Sequence, residues 1–127
     1  MNSIRTSVEP DIASPAARRF MRPDWRPKAE SLGELRTHID AIDVQLVDLI
    51  AQRALYVRDA TRFKRNPHQV AAPARQAQVF ARVRLLAAAH EAQFPGLADV
   101  AESTWRTMVA GFVAAEGLLF DQTELVE

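Results

Sequence analysis

Cysteine is absent from this sequence, and its absence excludes disulfides, thiolate catalysis and cysteine-ligated metal sites. The formal net charge is zero, because 16 basic residues balance 16 acidic ones. The chain as a whole therefore has no excess positive charge that would attract it to nucleic acid or to an anionic membrane. No apolar run reaches the length of a membrane span, and the start, MNSIRTSVEPDIASP, lacks the apolar region of a secretory signal. We therefore predict a cytoplasmic protein without nucleic acid or membrane partners.

Signals for β-structure, internal repeats and metal binding are also missing. No alternating apolar runs are separated by turn residues, and no period repeats along the chain. The three histidines, His38, His68 and His90, have no second ligand at the spacing of a helical metal site. The length of 127 residues allows one domain. The prediction is therefore an all-α domain without a metal.

Residues 1–30 differ in composition from the rest of the chain. They are rich in proline, arginine and serine and show no sustained period. We predict a flexible N-terminal extension at 1–30 followed by a helical domain at 31–127. An alternative stays open, in which Phe20, Met21 and Trp25 form a short motif that docks on the domain.

The first predicted helix covers SLGELRTHIDAIDVQLVDLIAQRALYVRDATRFK, from Ser31 to Lys64. Ser31 and Glu34 have the spacing of a capping box, which marks a helix start. Apolar residues then recur at steps of four and three, at Leu35, Ile39, Ile42, Leu46 and Leu49. Such a helix is about 50 Å long, more than two remaining segments can cover. We therefore expect a partner chain.

Two further helices follow. The segment RNPHQVAAP is predicted to be a loop, and Pro73 suits the first turn of the second helix. The third helix is predicted from about Asp99 to Phe120. The predicted buried side of the second helix carries Val79, Val83, Leu86 and His90. That of the third carries Trp105, Val109, Phe112, Glu116 and Leu119 or Phe120.

Three charged residues occupy positions where these patterns call for apolar side chains. Arg53 and Lys64 continue the stripe of the first helix, and Glu116 lies on that of the third. Burying an unpaired charge costs several kcal/mol, so each needs a partner. On one helix, Arg53 and Lys64 would lie about three turns apart and within about 20° around the axis, and a small dianion would fit between them. Two alternatives stay open: an internal ion-pair network that only fixes the helix register, or side chains that extend to water.

Arg36 adds a geometric constraint. It precedes Arg53 by 17 residues, which is roughly 25 Å along a helix axis and about 100° around it. Arg36 therefore cannot share a small ligand with Arg53 of the same helix. If both act on one substrate, Arg36 comes from the other chain, as an antiparallel pair of long helices would allow.

Four motifs of the sequence resemble those of a known protein family, namely LRTHIDAIDVQLVDLIAQR, YVRDATRFK, AAPAR and FVAAE. Together they resemble the all-helical chorismate mutases and, more closely, their relative isochorismate pyruvate lyase, over about Leu32 to Phe120. The resemblance implies the three-helix type II chorismate mutase fold, an intertwined homodimer, a small-molecule substrate and no cofactor.

The resemblance also implies roles for individual residues. Arg36 is similar to an arginine donated across the dimer, Arg53 to one that clamps a carboxylate, and Lys64 to a lysine that contacts carboxylate and ether oxygen. Arg75 and Val70 are expected to contact the substrate as well. Catalysis is expected from Lys64, Arg53 and Glu116.

Glu116 departs from the pattern of the bacterial relatives, which usually have glutamine here, and is similar to the fungal enzymes. An amide donates a hydrogen bond at any pH, whereas a carboxyl group donates only when protonated. The protonation state of Glu116 stays open at this point.

The expected activity is the pericyclic rearrangement of chorismate to prephenate. One alternative is isochorismate pyruvate lyase, giving salicylate and pyruvate, because RFK, a loop and APAR resemble that enzyme more. Discrimination between the two substrates is expected in the loop RNPHQVAA and the start of the second helix. The other alternative is a non-catalytic helical dimer that binds a partner through its N-terminal arm.

Overall fold

Helices are the only regular secondary structure in residues 9–126, the part of the chain that this computed structural model describes. Their order is α1 (Leu32–Ala60), α2 (Pro67–Ala71), α3 (Pro73–Ala88) and α4 (Leu97–Phe120), with a 3₁₀ turn at Thr61–Phe63. The predicted all-α class is confirmed, and α1, α3 and α4 correspond to the predicted long, medium and long helices. Over the described range, no helix is both long enough and apolar enough to cross a membrane.

The start of α1 has the predicted capping box. Ser31 Oγ accepts a hydrogen bond from the Glu34 amide at 3.2 Å. Glu34 Oε2 in turn accepts one from the Glu30 amide at 3.1 Å. Two amides that would otherwise lack partners are thereby satisfied, which explains why the helix begins at Leu32.

The other end of α1 corrects the predicted helix of residues 31–64. The α-helix ends at Ala60, and the Lys64 amide donates to the Thr61 carbonyl at 3.2 Å in a tighter turn. Lys64 itself is extended, with φ −96° and ψ 144°. Asn66 is extended as well, as is common for the residue before a proline, and Pro67 then begins α2. The prediction that Lys64 lies on the same helical face as Arg53 is therefore wrong.

The predicted loop RNPHQVAAP contains a helix that the sequence patterns did not indicate. Asn66 caps α2, because its side chain accepts a hydrogen bond from the Gln69 amide at 2.9 Å. Ala72 separates α2 from α3 with a left-handed backbone, φ 46°. Pro73 is the first residue of α3, as predicted. Val70 on α2 is buried, so this short helix is part of the folded core.

The described chain divides into two compact units, one through Leu49 and one from Ile50 onward. In the first unit, the segment before α1 contacts the helix start, where the Gly33 amide donates to the Ile12 carbonyl at 3.1 Å. A Cβ atom at Gly33 would lie 3.3 Å from that oxygen, so glycine suits this close approach.

Residues 9–30 form local contacts without a helix or strand. The rings of Phe20 and Trp25 meet edge to face at 5.3 Å, and the Arg22 guanidinium lies 4.4 Å from the Trp25 ring. Met21 is almost fully exposed. Residues 1–8 of the predicted extension lie outside the described residues. The flexibility of the extension and the domain boundary at residue 31 stay predictions.

The first unit leaves the predicted stripe of α1 exposed. Its five members have exposed fractions between 36% and 58%, namely Leu35, Ile39, Ile42, Leu46 and Leu49. Val44 and Val47, which lie off the stripe, are more exposed still. The period of the helix was predicted correctly, but these side chains are not covered.

The second unit has its own core, formed mainly where α3 packs on α4. The predicted side of α4 is confirmed, because Val109 and Glu116 are buried and the other members half-buried. On α3, Phe80 and Ala87 are the buried residues, whereas Leu86 and His90 are exposed. Near the C-terminal end of α3, the buried position is therefore Ala87 rather than the predicted Leu86.

Polar contacts fix α3 against α4. Arg84 forms ion pairs with Asp99 at 2.7 Å and Glu102 at 3.2 Å, and Glu102 also pairs with Arg106 at 2.8 Å. The hydrogen bond from Arg106 holds the pKa of Glu102 below its usual value. Before α4, the Glu91 carboxylate accepts hydrogen bonds from the Gly96 and Ala98 amides. The Arg84 pairs link α3 with α4, and the Glu91 hydrogen bonds satisfy amides at the start of α4, the helix that carries Glu116.

Candidate active site

A cavity of about 320 Å³ lies in the second unit, bounded by the end of α1, the α2–α3 junction and α4. Most of its wall is formed by valine and alanine side chains. Four charged residues interrupt this apolar wall: Arg53, Lys64, Arg75 and Glu116. An apolar pocket with a few convergent charged groups is typical of a small-molecule site.

Lys64 reaches the cavity from the extended residue after the 3₁₀ turn. Its ammonium group donates a hydrogen bond to the Gln69 carbonyl of α2 at 3.1 Å and lies 3.5 Å from Glu116 Oε2. Only 20% of its side chain is exposed. The short helix α2 therefore supplies a backbone acceptor that holds Lys64 at the cavity.

Glu116 is the buried charged residue of the cavity, with 5% of its surface exposed. Its Oε2 atom is near enough to Lys64 for an ion pair. Within the described chain, however, that atom accepts no hydrogen bond. A buried carboxylate oxygen without a hydrogen bond is costly, which indicates an atom reserved for a ligand. If protonated it donates to an ether or carbonyl oxygen; if ionised it accepts from a hydroxyl group.

Arg53 reaches the cavity from α1, about two turns before that helix ends at Ala60. Its guanidinium carbon lies over the Phe112 ring, 5.6 Å from the ring centroid. Among residues 9–126, Arg53 makes no ion pair and donates no side-chain hydrogen bond to another residue. An arginine whose donors are free beside an apolar wall is suited to bind a carboxylate through two parallel hydrogen bonds.

The other two residues predicted for this region also line the cavity. Arg75 lies in the first turn of α3, is largely exposed, and has one weak hydrogen bond to Gln78 at 3.5 Å. Val70 is buried at 5% exposure and forms part of the apolar wall. Five of the six predicted site residues thus meet at one cavity.

Arg36, the sixth, belongs to the first unit and is not among the lining residues. Its guanidinium pairs with Glu9 at 3.7 Å, and both side chains are at least half exposed. Such a pair contributes little energy, about 0–1 kcal/mol, so it leaves Arg36 available for another anion. The role predicted for Arg36 stays a prediction.

The sequence patterns did not identify Tyr56, Gln76 and Phe112 as site residues, yet all three line the cavity. Two of them had a detectable signal. Tyr56 lies three residues after Arg53, and Phe112 lies four before Glu116, so each shares a helical face with a predicted site residue. Phe112 was assigned to the core because an aromatic residue on an apolar stripe usually packs there.

The cavity combines three cationic groups and one buried carboxyl group with a largely apolar wall. Cations in apolar surroundings bind anions and stabilise developing negative charge more strongly than they do in water. Within residues 9–126, no three histidine, aspartate or glutamate side chains are grouped to hold a metal ion. The arrangement is suited to hold a small dianion and to stabilise charge on an oxygen atom near Lys64 and Glu116.

Comparison with known protein families gives a match over residues 35–117, to the family described as chorismate mutase type II. The match covers more than half of the chain and includes every residue predicted for the site. A comparison with curated proteins finds no match.

Proposed function

The chain belongs to the chorismate mutase type II family, and from this membership we propose that it converts chorismate to prephenate at the cavity of its second unit. The observation that carries the proposal is that Arg53, Lys64, Arg75 and Glu116 line one apolar cavity. Two classes of group are needed for this reaction: cations for the carboxylates and a polar pair for the ether oxygen.

The rearrangement is pericyclic and needs neither a nucleophile nor a general base. The enzyme must hold a flexible dicarboxylate in its reactive diaxial form, which removes an entropic part of the barrier. It must also stabilise the negative charge that grows on the breaking ether oxygen. A cavity that gathers cations against an apolar wall is suited to both requirements.

In the proposed mechanism, Arg53 clamps one carboxylate and Lys64 contacts a carboxylate and the ether oxygen. Protonated Glu116 donates its hydrogen bond to the same oxygen. Two observations support these roles: within the described chain Glu116 Oε2 has no hydrogen bond, and the Lys64 ammonium group lies 3.5 Å from it. Arg75 and the apolar Val70 complete the contacts with the substrate.

We further propose that the working enzyme is a homodimer in which Arg36 of the partner subunit binds the second carboxylate. The support is the exposed stripe on α1, from Leu35 to Leu49. A single chain rarely exposes so long a row of large apolar side chains without a partner. A second copy of α1, laid antiparallel, would cover the stripe and bring its own arginine.

Isochorismate pyruvate lyase is the second candidate, and the region around α2 favours it. This region, from Lys64 to Arg75, carries the motifs that resemble the lyase more closely, and Val70 from α2 lines the cavity. The two substrates differ in the position of a ring hydroxyl group, so contacts from α2 and the start of α3 would decide between them.

The test is to incubate the purified protein separately with chorismate and with isochorismate and to identify the products. Prephenate from chorismate, without salicylate from isochorismate, supports the mutase. Salicylate and pyruvate from isochorismate make the chain a lyase, whatever slow mutase activity accompanies it. No product from either substrate overturns the proposal and favours a non-catalytic helical dimer.

A further inference from the structure

Phe112 is the residue of the cavity that the proposed mechanism leaves without a role. It lies on α4, one turn before Glu116, and is half-buried in the cavity wall. Its ring lies beneath the Arg53 guanidinium at 5.6 Å, within the distance at which an aromatic face attracts a cation. Among residues 9–126, the Arg53 guanidinium has this contact and no ion pair.

Arg53 differs in this respect from the other cations of the cavity. Lys64 is held by a backbone carbonyl and by Glu116, and Arg75 has a hydrogen bond to Gln78. A guanidinium group that rests on a ring keeps its donors, which lie in its own plane, free for a carboxylate. A carboxylate partner from the protein would instead use those donors and compete with the substrate.

We propose that Phe112 is a positioning residue, whose ring holds the Arg53 guanidinium in place so that its hydrogen-bond donors meet a substrate carboxylate. This inference rests on the proposed function for the identity of the substrate, but the Arg53–Phe112 contact exists independently of it. Phe112 acts through Arg53 and also keeps water from one face of the guanidinium group, which strengthens its attraction for an anion.

The principal variant is Phe112→Leu, which keeps apolar bulk but removes the aromatic face. We expect kcat/KM for chorismate to fall by about 2- to 30-fold, the range of a partly desolvated cation–π contact. Most of this loss is expected as a rise in KM, because a group that clamps a carboxylate binds the substrate and the transition state alike. Phe112→Tyr keeps the ring and is expected to stay close to wild type in KM.

A double-mutant cycle separates positioning from simple packing. Arg53→Lys replaces the planar group with a compact ammonium group that does not stack in the same way. If Phe112 acts through Arg53, Phe112→Leu costs much less in the Arg53→Lys background than in the wild type. Equal losses in both backgrounds, or an unchanged KM in Phe112→Leu, would overturn the inference.

The matched control is Phe63→Leu. Phe63 also lies near an arginine, 5.9 Å from the Arg62 guanidinium, but its ring is exposed and does not line the cavity. The same substitution at this position removes an arginine–aromatic contact without touching the site. Its kinetic constants for chorismate are expected to match those of the wild type.

A measurement without turnover separates this inference from the proposed function. In an NMR spectrum, the ring current of Phe112 is expected to shift the Nε–Hε signal of Arg53. The chemical shift of this signal should therefore change in Phe112→Leu, which lacks the ring, and remain nearly the same in Phe112→Tyr. Malonate is the probe for carboxylate binding, followed by the same signal, and it should bind more weakly to Phe112→Leu.

The outcomes are distinct. A wild type that makes no product from chorismate or isochorismate, yet shows the shifted signal and the weakened malonate binding, ends the proposed function and leaves the inference standing. A signal that does not move in Phe112→Leu ends the inference, even in an active enzyme. If Phe112→Leu does not fold, as far-UV circular dichroism would report, Phe112→Met provides the same tests with a more adaptable side chain.

Discussion

In the first unit the apolar side chains of α1, from Leu35 to Leu49, stay exposed, whereas in the second unit α3 and α4 bury Phe80 and Val109. The same kind of helical periodicity therefore has two different results. In the second unit the chain supplies its own partner helix, and this packing creates the cavity. In the first unit the periodic face stays uncovered, which is the observation behind the proposed homodimer. The residues that line the cavity and the face proposed for assembly thus lie in different parts of the chain.

The largest expected effect is on assembly. Leu46→Glu places a charge in the middle of the α1 stripe, and in a homodimer two such charges would be buried without partners. Each costs several kcal/mol, so we expect the mutant to sediment as a monomer and to lose activity, since Arg36 of the partner subunit would be missing.

The control for this variant is Ala51→Glu, an exposed position about 140° around the helix axis from Leu46. It adds the same charge away from the stripe and is expected to leave the molecular mass unchanged. A Leu46→Glu protein with the mass and the denaturation curve of the wild type would show that the stripe is not an interface.

The next effect concerns the cavity alone. Lys64→Ala removes the donor nearest Glu116, and loss of one donor to a developing oxyanion costs about 2.7–4 kcal/mol, or roughly 100- to 1,000-fold in kcat. Sedimentation should show the same assembly as in the wild type, because Lys64 lies in the second unit. Arg65→Ala, a neighbouring exposed cation outside the cavity, is the control and should keep its turnover. Near wild-type turnover in Lys64→Ala would refute the assignment of the site.

A smaller effect is expected from Glu116→Gln. The side-chain amide has nearly the shape of the carboxyl group and can donate the proposed hydrogen bond to the ether oxygen, so we expect kcat to fall much less than in Lys64→Ala. Steady-state kinetics of the two variants side by side measure the difference. Turnover by Glu116→Gln as low as that of Lys64→Ala would contradict the role of a hydrogen-bond donor at this position.

The smallest effect is on the stability of the second unit. The Glu91 carboxylate accepts hydrogen bonds from the amides of Gly96 at 2.6 Å and Ala98 at 3.1 Å at the start of α4. We expect Glu91→Ala to lower the free energy of unfolding by about 1–2 kcal/mol, as the loss of a helix cap does. Urea denaturation at a fixed protein concentration measures it. The control is Gln93→Ala, because Gln93 is exposed in the same turn. If the two variants were equally stable, the Glu91 carboxylate would not act as a stabilising cap of α4.

Local patterns predicted those features that depend on neighbours along the chain. The capping box at Ser31, the period of α1, the start of α3 at Pro73 and the buried side of α4 follow from spacing alone. The cluster of Arg53, Lys64, Arg75 and Glu116 was predicted by resemblance and by charges on apolar stripes. These signals are local because hydrogen bonds and side-chain faces in a helix repeat every three to four residues.

The features that were missed depend on contacts between distant segments. Lys64 was expected on the first helix because its position fits the stripe, but it lies in extended backbone beside α2. Its place at the cavity comes from the carbonyl of Gln69 and the carboxylate of Glu116, one on another helix and one far along the chain. Periodicity cannot report such partners.

The sequence by itself determined that this chain is all-α, that α1 carries a row of apolar residues at helical spacing, and that Arg53 and Glu116 interrupt apolar stripes. The tertiary structure decided which of those residues meet. It placed Lys64 against Glu116, set the Phe112 ring beneath Arg53, and left the α1 stripe exposed. The physical reason is that a helix fixes the direction of each side chain, whereas packing between helices fixes what lies opposite it.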